Sequence, residues 1–371
     1  MVKVYILGEA RGSYRIQSFI KLLLDDRLRY KVYYDSVLYS NRLLRYFKSL
    51  FINPFIILLS NVVYVNTMNV DVNIIYELLW AKLFRKKIIV DFYVSVYDTV
   101  VLDRKWFKEG SALAKLAGII DHMFIRCASA LVFLNRSEKE YYLRVCGMEK
   151  VDEKKVFIIP VGVDGRKPVK NNFVNGNSPT LKICWWGSYQ PLHGLDKVIK
   201  AAGMIREKGL DVHWYFFGND EKKSLPYKKL VEQLGLQDFC TISNDYTFSN
   251  GKLEPFLEEN CDLALSIFGD SEKSFTVLPN KTLDACAMRC LLLSGNSSAT
   301  KEYFDGTSLF LCERTPDDIA KTVEEIYHSD KALLKARIEK MYEIFNADFS
   351  IEVLMRRYQK LIDELVKPGR K

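Results

Sequence analysis

The chain has 371 residues, of which 49% are hydrophobic and 27% charged, and its formal net charge at pH 7 is +8. Because one hydrophobic core rarely serves so long a chain, this length and composition predict two α/β domains. The eight cysteines form no Cys-x-x-Cys pair and only four histidines are present, which argues against a zinc site.

The first half of the chain alternates predicted strands and helices. Apolar segments typical of strands are VKVYILG, YKVYYD, NVVYVN, KKIIVDF, ALVFLN and VFIIPVGVD. Helical spacing of apolar residues predicts helices over 14–24, 41–59, 72–84 and 112–126. A capping box of Ser137 and Glu140 predicts another over 139–146. This alternation indicates a mostly parallel sheet with helices on both faces.

All of the excess positive charge lies in this half, since residues 1–164 hold 25 basic and 17 acidic residues and the remainder holds 29 of each. The segment 41–59 sets Arg42, Arg45 and Lys48 at helical spacing beside leucine and aromatic residues. That composition is typical of a helix that lies on an anionic membrane surface. A core helix with one solvated basic face is the alternative.

No segment is predicted to span a bilayer, because Asn53, Pro54, Ser60 and Asn61 interrupt the longest apolar run. The first ten residues lack the apolar stretch and cleavage site of a signal peptide. We therefore expect a cytoplasmic protein with peripheral contact at the inner face of the membrane.

The second half repeats the alternation after a polar segment, 166–180, that is rich in Pro, Asn, Gly and Lys. Its predicted strands are LKICWWG, VHWYFFG, FCTIS, LALSIFG, CLLLSG and SLFLC, and its predicted helices cover 194–208, 227–234, 253–259, 280–288, 316–328, 331–345 and 351–366. We expect one domain over 1–165, a second over 166–347, and a final helical segment, 348–371, that packs back on the first domain.

Two strands of the second half lead through a glycine-containing loop into a helix. In ICWWGSYQPLHG the loop runs from Gly187 to Gly194, and Gly269 follows LALSIF. Glycine lets a ligand approach the backbone closely, and free N–H groups at a helix start favour phosphate. Gly218 follows a third strand in the same way. The pattern predicts a nucleotide-type ligand, although each glycine could simply end its strand.

The motifs IIPVGVD, WGSYQPLHG, FFGND and IFGDSEKSFTVLPNKTLDACA, in this order, resemble those of family 4 glycosyltransferases over nearly the whole chain. The resemblance implies the GT-B fold, in which two Rossmann-like doubly wound domains face each other across a cleft. It implies that the C-terminal domain holds a nucleotide-sugar donor and the N-terminal domain an acceptor. It further implies transfer without a metal or other cofactor, usually with retention, to a saccharide or lipid-linked acceptor, and no nucleic-acid partner.

The chain departs from the family at the donor phosphates. Members carry an arginine after the first loop glycine and a lysine before the second, where this chain has Ser188 and His193. We expect replacement cations from Lys281, in the first turn of a predicted helix, and then from Lys273 or Arg11. An exposed first-turn lysine is the alternative for Lys281.

The resemblance also places an acidic residue, Asp284, where members bind ribose hydroxyls, whereas Thr276 stands where they carry another glutamate. The predicted donor-binding residues are Gly187, Ser188, His193, Gly194, Gly218, Gly269, Lys273, Asn280, Lys281 and Asp284. Gly8, Arg11 and Gly12 of the first loop are predicted at the cleft.

Acidic side chains are crowded in the segment 90–107, VDFYVSVYDTVVLDRKWF. Several of them follow a predicted strand, so they should project from the carboxyl edge of the N-terminal sheet. Asp98, Asp103 and Arg104 are the predicted catalytic residues, suited to binding sugar hydroxyls or handling a proton. Helix caps and surface ion pairs explain the same residues.

Two other functions fit these observations. One is a nucleotide-sugar epimerase of the same fold, which the acidic segment does not exclude. The other is a catalytically silent binding subunit, since Ser188, His193 and Thr276 replace expected polar ligands. The predicted function is a glycosyltransferase of polysaccharide or glycoconjugate assembly.

Overall fold

The structure, a computed structural model, describes residues 1–7, 14–25, 30–34, 42–69 and 72–367. The predicted loop residues Gly8, Arg11 and Gly12 lie outside these ranges. The chain divides into two compact units. The first unit is Met1–Gly162 together with Ile351–Lys371, and the second is Val163–Ser350.

Each unit contains a six-stranded parallel sheet. The strands of the first are β1 (Val2–Leu7), β2 (Tyr30–Tyr34), β3 (Val62–Asn66), β4 (Lys87–Asp91), β5 (Ala130–Phe133) and β6 (Val156–Ile158), and those of the second are β7 (Leu181–Trp186), β8 (Val212–Phe217), β9 (Cys240–Ser243), β10 (Leu263–Leu265), β11 (Leu291–Gly295) and β12 (Phe310–Cys312). The interior strands β3 and β5 are buried throughout, which explains their nearly continuous apolar sequences.

Helices connect the strands and cover the sheets. They are α1 (Tyr14–Leu23), α2 (Arg42–Phe51), α3 (Asn53–Leu59), α4 (Val72–Leu83), α5 (Ala112–Cys127), α6 (Arg136–Val145), α7 (Leu195–Glu207), α8 (Glu221–Gln233), α9 (Leu253–Asn260), α10 (Glu272–Thr276), α11 (Asn280–Ala287), α12 (Ser298–Lys301), α13 (Pro316–His328), α14 (Lys331–Asp348) and α15 (Ile351–Val366). No helix within the described ranges is long and apolar enough to cross a membrane.

Successive residues of β1 enter two different cores in the first unit. Val4 and Ile6 pack in a cluster with α1 and the C-terminal helix α15. Tyr5 and Leu7 join the opposite cluster, to which α3, α4, α5 and α6 contribute. This arrangement follows from the period of two in a strand that is buried on both faces.

A buried ion pair ties the C-terminal helix to the first sheet. Arg15 Nε lies 2.7 Å from Asp91 Oδ2, and both side chains are fully buried. The same carboxylate oxygen accepts hydrogen bonds from the hydroxyls of Tyr64, at 2.5 Å, and of Tyr358 on α15, at 2.7 Å. Arg15 also donates to the carbonyl of Pro160.

Three local predictions were wrong. The helix predicted over 227–234 begins earlier, as α8 (Glu221–Gln233), because the Asp220 side chain caps it by accepting from the Lys223 N–H and the helix accommodates Pro226. The segment predicted as one helix over 41–59 forms α2 and α3, because Pro54 stands in the first turn of α3, where its missing N–H costs no hydrogen bond; Asn41 lies outside the described residues. The predicted capping box of Ser137 and Glu140 does not form. Asn135 is the N-cap of α6 instead, and its side chain accepts from the Glu138 N–H.

The second sheet has the order β12-β11-β10-β7-β8-β9. The chain therefore adds β8 and β9 on one side of β7, and β10, β11 and β12 on the other. Ile183 of β7 pairs with Leu263 of β10, so the loops that leave these two strands start side by side. This is the switch point at which open α/β sheets bind their ligands.

Candidate functional site

The loops that follow β7 and β10 are joined through their backbones. The Gly269 N–H donates to the Leu192 carbonyl and the Phe268 N–H to the His193 carbonyl, each at 3.0 Å. A Cβ on Gly269 would lie 2.5 Å from the Leu192 oxygen, and one on Gly194, where φ is +61°, would lie 2.6 Å from the Phe268 carbonyl carbon. Both positions therefore require glycine, because the two loops touch each other there.

We expect Gly269→Ala to lower the free energy of unfolding by about 1–3 kcal/mol, since overpacked contacts cost this much. Urea denaturation measures the loss. Gly306→Ala is the control, because a Cβ there meets no atom within 4 Å. Equal stability of the two variants would show that the joined loops tolerate a side chain.

The amine of Lys281 is buried at the same strand ends. Lys281 lies in the first turn of α11 and is only 6% exposed. Nζ lies 4.3 Å from the centre of the Trp185 ring, and no residue in the described part of the chain forms a hydrogen bond with it. Burial lowers the pKa of Lys281 well below its ordinary value. The alternative of a solvated lysine does not hold, and a buried amine without a partner is costly.

His193 lies beside this amine, at the end of a 3-10 turn over Pro191–His193. Its ring is 5.6 Å from the Trp185 ring in an edge-on arrangement. Its Nδ1 atom is buried and has no hydrogen-bond partner among the described residues. Burial first, and then the charge of Lys281, lower the pKa of His193 well below its ordinary value.

Gly187 completes the site. Its φ is +149°, and a Cβ there would lie 3.6 Å from both His193 Nε2 and Lys281 Nζ. The backbone after β7, an imidazole and an amine thus surround one position. Together they can hold an anion such as a phosphate group. The negative charge of the anion would favour the protonated form of Lys281, which has no charged partner of its own among the described residues.

Asp284, the predicted ribose ligand, forms an ion pair that the sequence analysis missed. Its Oδ1 atom accepts from Arg166 Nε at 2.9 Å and from Nη2 at 2.8 Å. Arg166 also lies 3.5 Å from Glu254 and stacks on Phe248, 4.2 Å from the ring centre. Burial raises the pKa of Asp284, and Arg166 opposes that rise. No local pattern signals a pair whose members are 118 positions apart.

Arg314 is a second residue that the sequence analysis missed. Its guanidinium is buried and donates to the Gly269 carbonyl, to Ser274 Oγ at 2.6 Å and to the Ser274 carbonyl at 3.0 Å. It also stacks on Phe275, 3.7 Å from the ring centre. Arg314 therefore holds the loop and short helix that carry the half-buried Lys273.

The other predicted donor residues occupy different surroundings. Gly218 accommodates an aromatic ring, because a Cβ there would lie 2.0 Å from Tyr189 Cε2. Ser188 is half-buried next to Gly187, and the half-buried Asn280 begins α11. Only Gly187, His193 and Lys281 are thus brought around one position by the contacts described.

The predicted catalytic residues lie in the first unit. Asp98 is buried at the start of a π-helical turn, Asp98–Asp103, and its Oδ1 atom accepts from the Tyr141 hydroxyl at 2.5 Å. Asp103 is half-buried at the end of this turn. Arg104 is exposed and stacks on Trp106, 4.8 Å from the ring centre.

No family model and no curated protein matches the chain. A glycosyltransferase from Rickettsia africae matches at 14% identity with a TM-score of 0.66, over 99% of each chain. Sucrose-phosphate synthase from Thermosynechococcus elongatus matches at 12% identity and 0.70, over 98% of this chain and 99% of that one. Anabaena HepE in complex with UDP and glucose matches at 11% identity and 0.67, over 98% and 100%. The chain therefore has the GT-B fold of these structures, as the motifs predicted.

Proposed function

We propose that the protein is a glycosyltransferase that uses a nucleotide-diphosphate sugar. The observation that carries the proposal is the unpartnered buried amine of Lys281, beside His193 and Gly187, where β7 and β10 end. The structural comparison supports it, because HepE, which shares the fold, has been solved with UDP and with UDP-glucose. A diphosphate is a suitable partner for an amine in this position.

The proposed reaction breaks the bond between the anomeric carbon and the diphosphate oxygen. The acceptor hydroxyl oxygen bonds to that carbon and loses its proton, and the nucleoside diphosphate leaves with the bonding electrons. Lys281, protonated when the diphosphate is bound, stabilises the charge that develops on the leaving group. It supplies the positive charge that Ser188 and His193 do not, which supports transfer without a metal.

On the acceptor side the proposal keeps the predicted residues of the first unit. The half-buried Asp103 would accept the acceptor proton, and the exposed Arg104 would bind the acceptor. Asp98, which accepts a hydrogen bond from Tyr141, would hold the turn Asp98–Asp103 in place. We further propose retention of configuration and a saccharide or lipid-linked saccharide acceptor in polysaccharide or glycoconjugate assembly, with peripheral membrane contact through 41–59.

Calorimetry of UDP binding tests the donor site. The pKa of Lys281 in the free protein lies below its ordinary value, and a bound diphosphate raises it. Between these two pKa values binding must take up a proton, so affinity should fall as pH rises from the pKa of the free state to that of the bound state. We expect the binding enthalpy to vary with the ionisation enthalpy of the buffer in the direction of uptake. Release of protons, or no dependence on buffer, would contradict the site.

Product analysis separates the proposed reaction from its rivals. The protein is incubated with UDP-glucose and other nucleotide sugars, with and without saccharide acceptors and with EDTA. Transfer that survives EDTA supports the proposal. A rearranged sugar nucleotide formed without acceptor would identify an epimerase, and tight binding without any turnover would identify a silent binding subunit.

A further inference from the structure

Exposed apolar side chains are concentrated on one group of helices in the first unit. Of the 22 large apolar side chains that the described ranges expose, 15 lie on α2–α3, on α4, or between Trp106 and Ile119. Phe55 on α3 is 68% exposed, Leu83 on α4 66% and Ile119 on α5 62%. The second unit exposes only Leu225, Leu234, Phe275 and Leu333 among its described residues. Apolar surface on this scale marks an interaction site.

These helices cover the same face of the first sheet. Ile57 of α3, Leu78 of α4 and Phe124 of α5 all belong to one core cluster against the sheet. The helix α2 packs against α3 and α4. Their outward sides therefore form one layer, which we call the apolar layer.

The apolar layer is also strongly basic. The segments 42–59, 72–87 and 105–126, which form or adjoin the layer, hold eleven Lys or Arg residues and three Asp or Glu residues, a net charge of +8. Two of the three acidic residues are buried: Glu77 accepts from Asn53 and Tyr5, and Asp121 accepts from Ser95. Only Glu109 is exposed. These segments thus account for the excess charge of the whole chain.

We propose that the apolar layer, including α4 and α5 and not α2–α3 alone, lies on an anionic phospholipid bilayer. Aromatic and leucine side chains interleaved with lysine and arginine suit the headgroup boundary, where long basic side chains reach the phosphates. Each basic residue near an anionic surface adds to the attraction between the protein and the bilayer. A protein partner fits less well, because the centres of protein interfaces are depleted in lysine. The inference deepens the proposed function, on which it rests for a lipid-linked acceptor.

Vesicle co-sedimentation tests the layer with the full-length protein. We expect binding to vesicles of phosphatidylcholine with phosphatidylglycerol, weaker binding at high salt, and little binding to phosphatidylcholine alone. The triple variant Leu113→Gln/Leu116→Gln/Ile119→Gln on α5 should partition about 10-fold less. Leu225→Gln/Leu234→Gln/Leu333→Gln, on equally exposed sites of the second unit, is the matched control.

A charge variant adds an independent measurement. Lys115→Glu/Arg126→Glu changes two exposed residues of α5 and should weaken binding to the anionic vesicles. Three results would overturn the inference. They are a failure to bind vesicles, an equal loss of binding in the control variant, and α5-dependent dimers detected by light scattering instead of vesicle binding. UDP binding is measured for each variant. Vesicle binding without UDP binding refutes the proposed function only, whereas normal UDP binding without vesicle binding refutes only the inference about the membrane.

Discussion

Lys281→Met should weaken UDP binding about 10- to 100-fold and at the same time stabilise the fold by about 1–3 kcal/mol at pH 7. The affinity falls because the variant loses a charge-assisted contact with the diphosphate. The stability rises because an unpartnered buried amine is replaced by an apolar side chain of similar length, which can pack against Trp185.

The sign of the pH dependence follows from the depressed pKa of Lys281 in the folded state. The unfolded chain binds a proton at this lysine up to its ordinary pKa of about 10.4, whereas the folded chain releases it earlier. The contribution of Lys281 to wild-type stability therefore rises with pH between its folded-state pKa and its unfolded-state pKa. The stability advantage of Lys281→Met should shrink as pH approaches the unfolded-state pKa.

Urea denaturation at pH 7 and pH 10, with calorimetry of UDP binding, measures both effects. Lys335→Met is the control, because Lys335 is exposed on α14 and its replacement should change neither quantity appreciably. A Lys281→Met protein that is less stable than wild type and binds UDP normally would make Lys281 a structural residue.

Asp91→Ala should destabilise the first unit by about 3–5 kcal/mol, because removal of one partner leaves the buried charge of Arg15 uncompensated. The tyrosine hydroxyls of Tyr64 and Tyr358 lose their acceptor as well. Tyr358→Phe, which removes one hydrogen bond and keeps the ion pair, should cost only about 1 kcal/mol. Equilibrium unfolding of the purified variants gives these values.

Two comparisons make this result specific. Glu259→Ala breaks the exposed pair with Lys170, at 2.6 Å, and should cost no more than about 1 kcal/mol. Arg15→Met/Asp91→Leu replaces both buried charges and should recover most of the loss. If the double variant is as unstable as Asp91→Ala, packing and not charge explains the effect.

The sequence by itself determined the elements and the fold. Alternating apolar segments and helical periodicity predicted both parallel sheets, and the bounds of α13 and α15 agree with prediction because their signals are local. Thr315 caps α13 with Pro316 at its first position. The glycines at 187, 194 and 269 marked the loops at the switch point, since a turn and a close backbone approach both require glycine there.

Only the tertiary structure decided what surrounds each of these residues. Burial of Lys281 on α11 depends on Trp185, which lies on the distant strand β7, and Gly269 contacts the loop at Leu192 and not open space. Arg166 reaches Asp284, and Arg314 reaches Ser274, across 118 and 40 positions. The sequence pattern repeats with the period of a helix or a strand and so reports which face is apolar. It carries no information on distant partners, and desolvation and charge pairing depend on those partners.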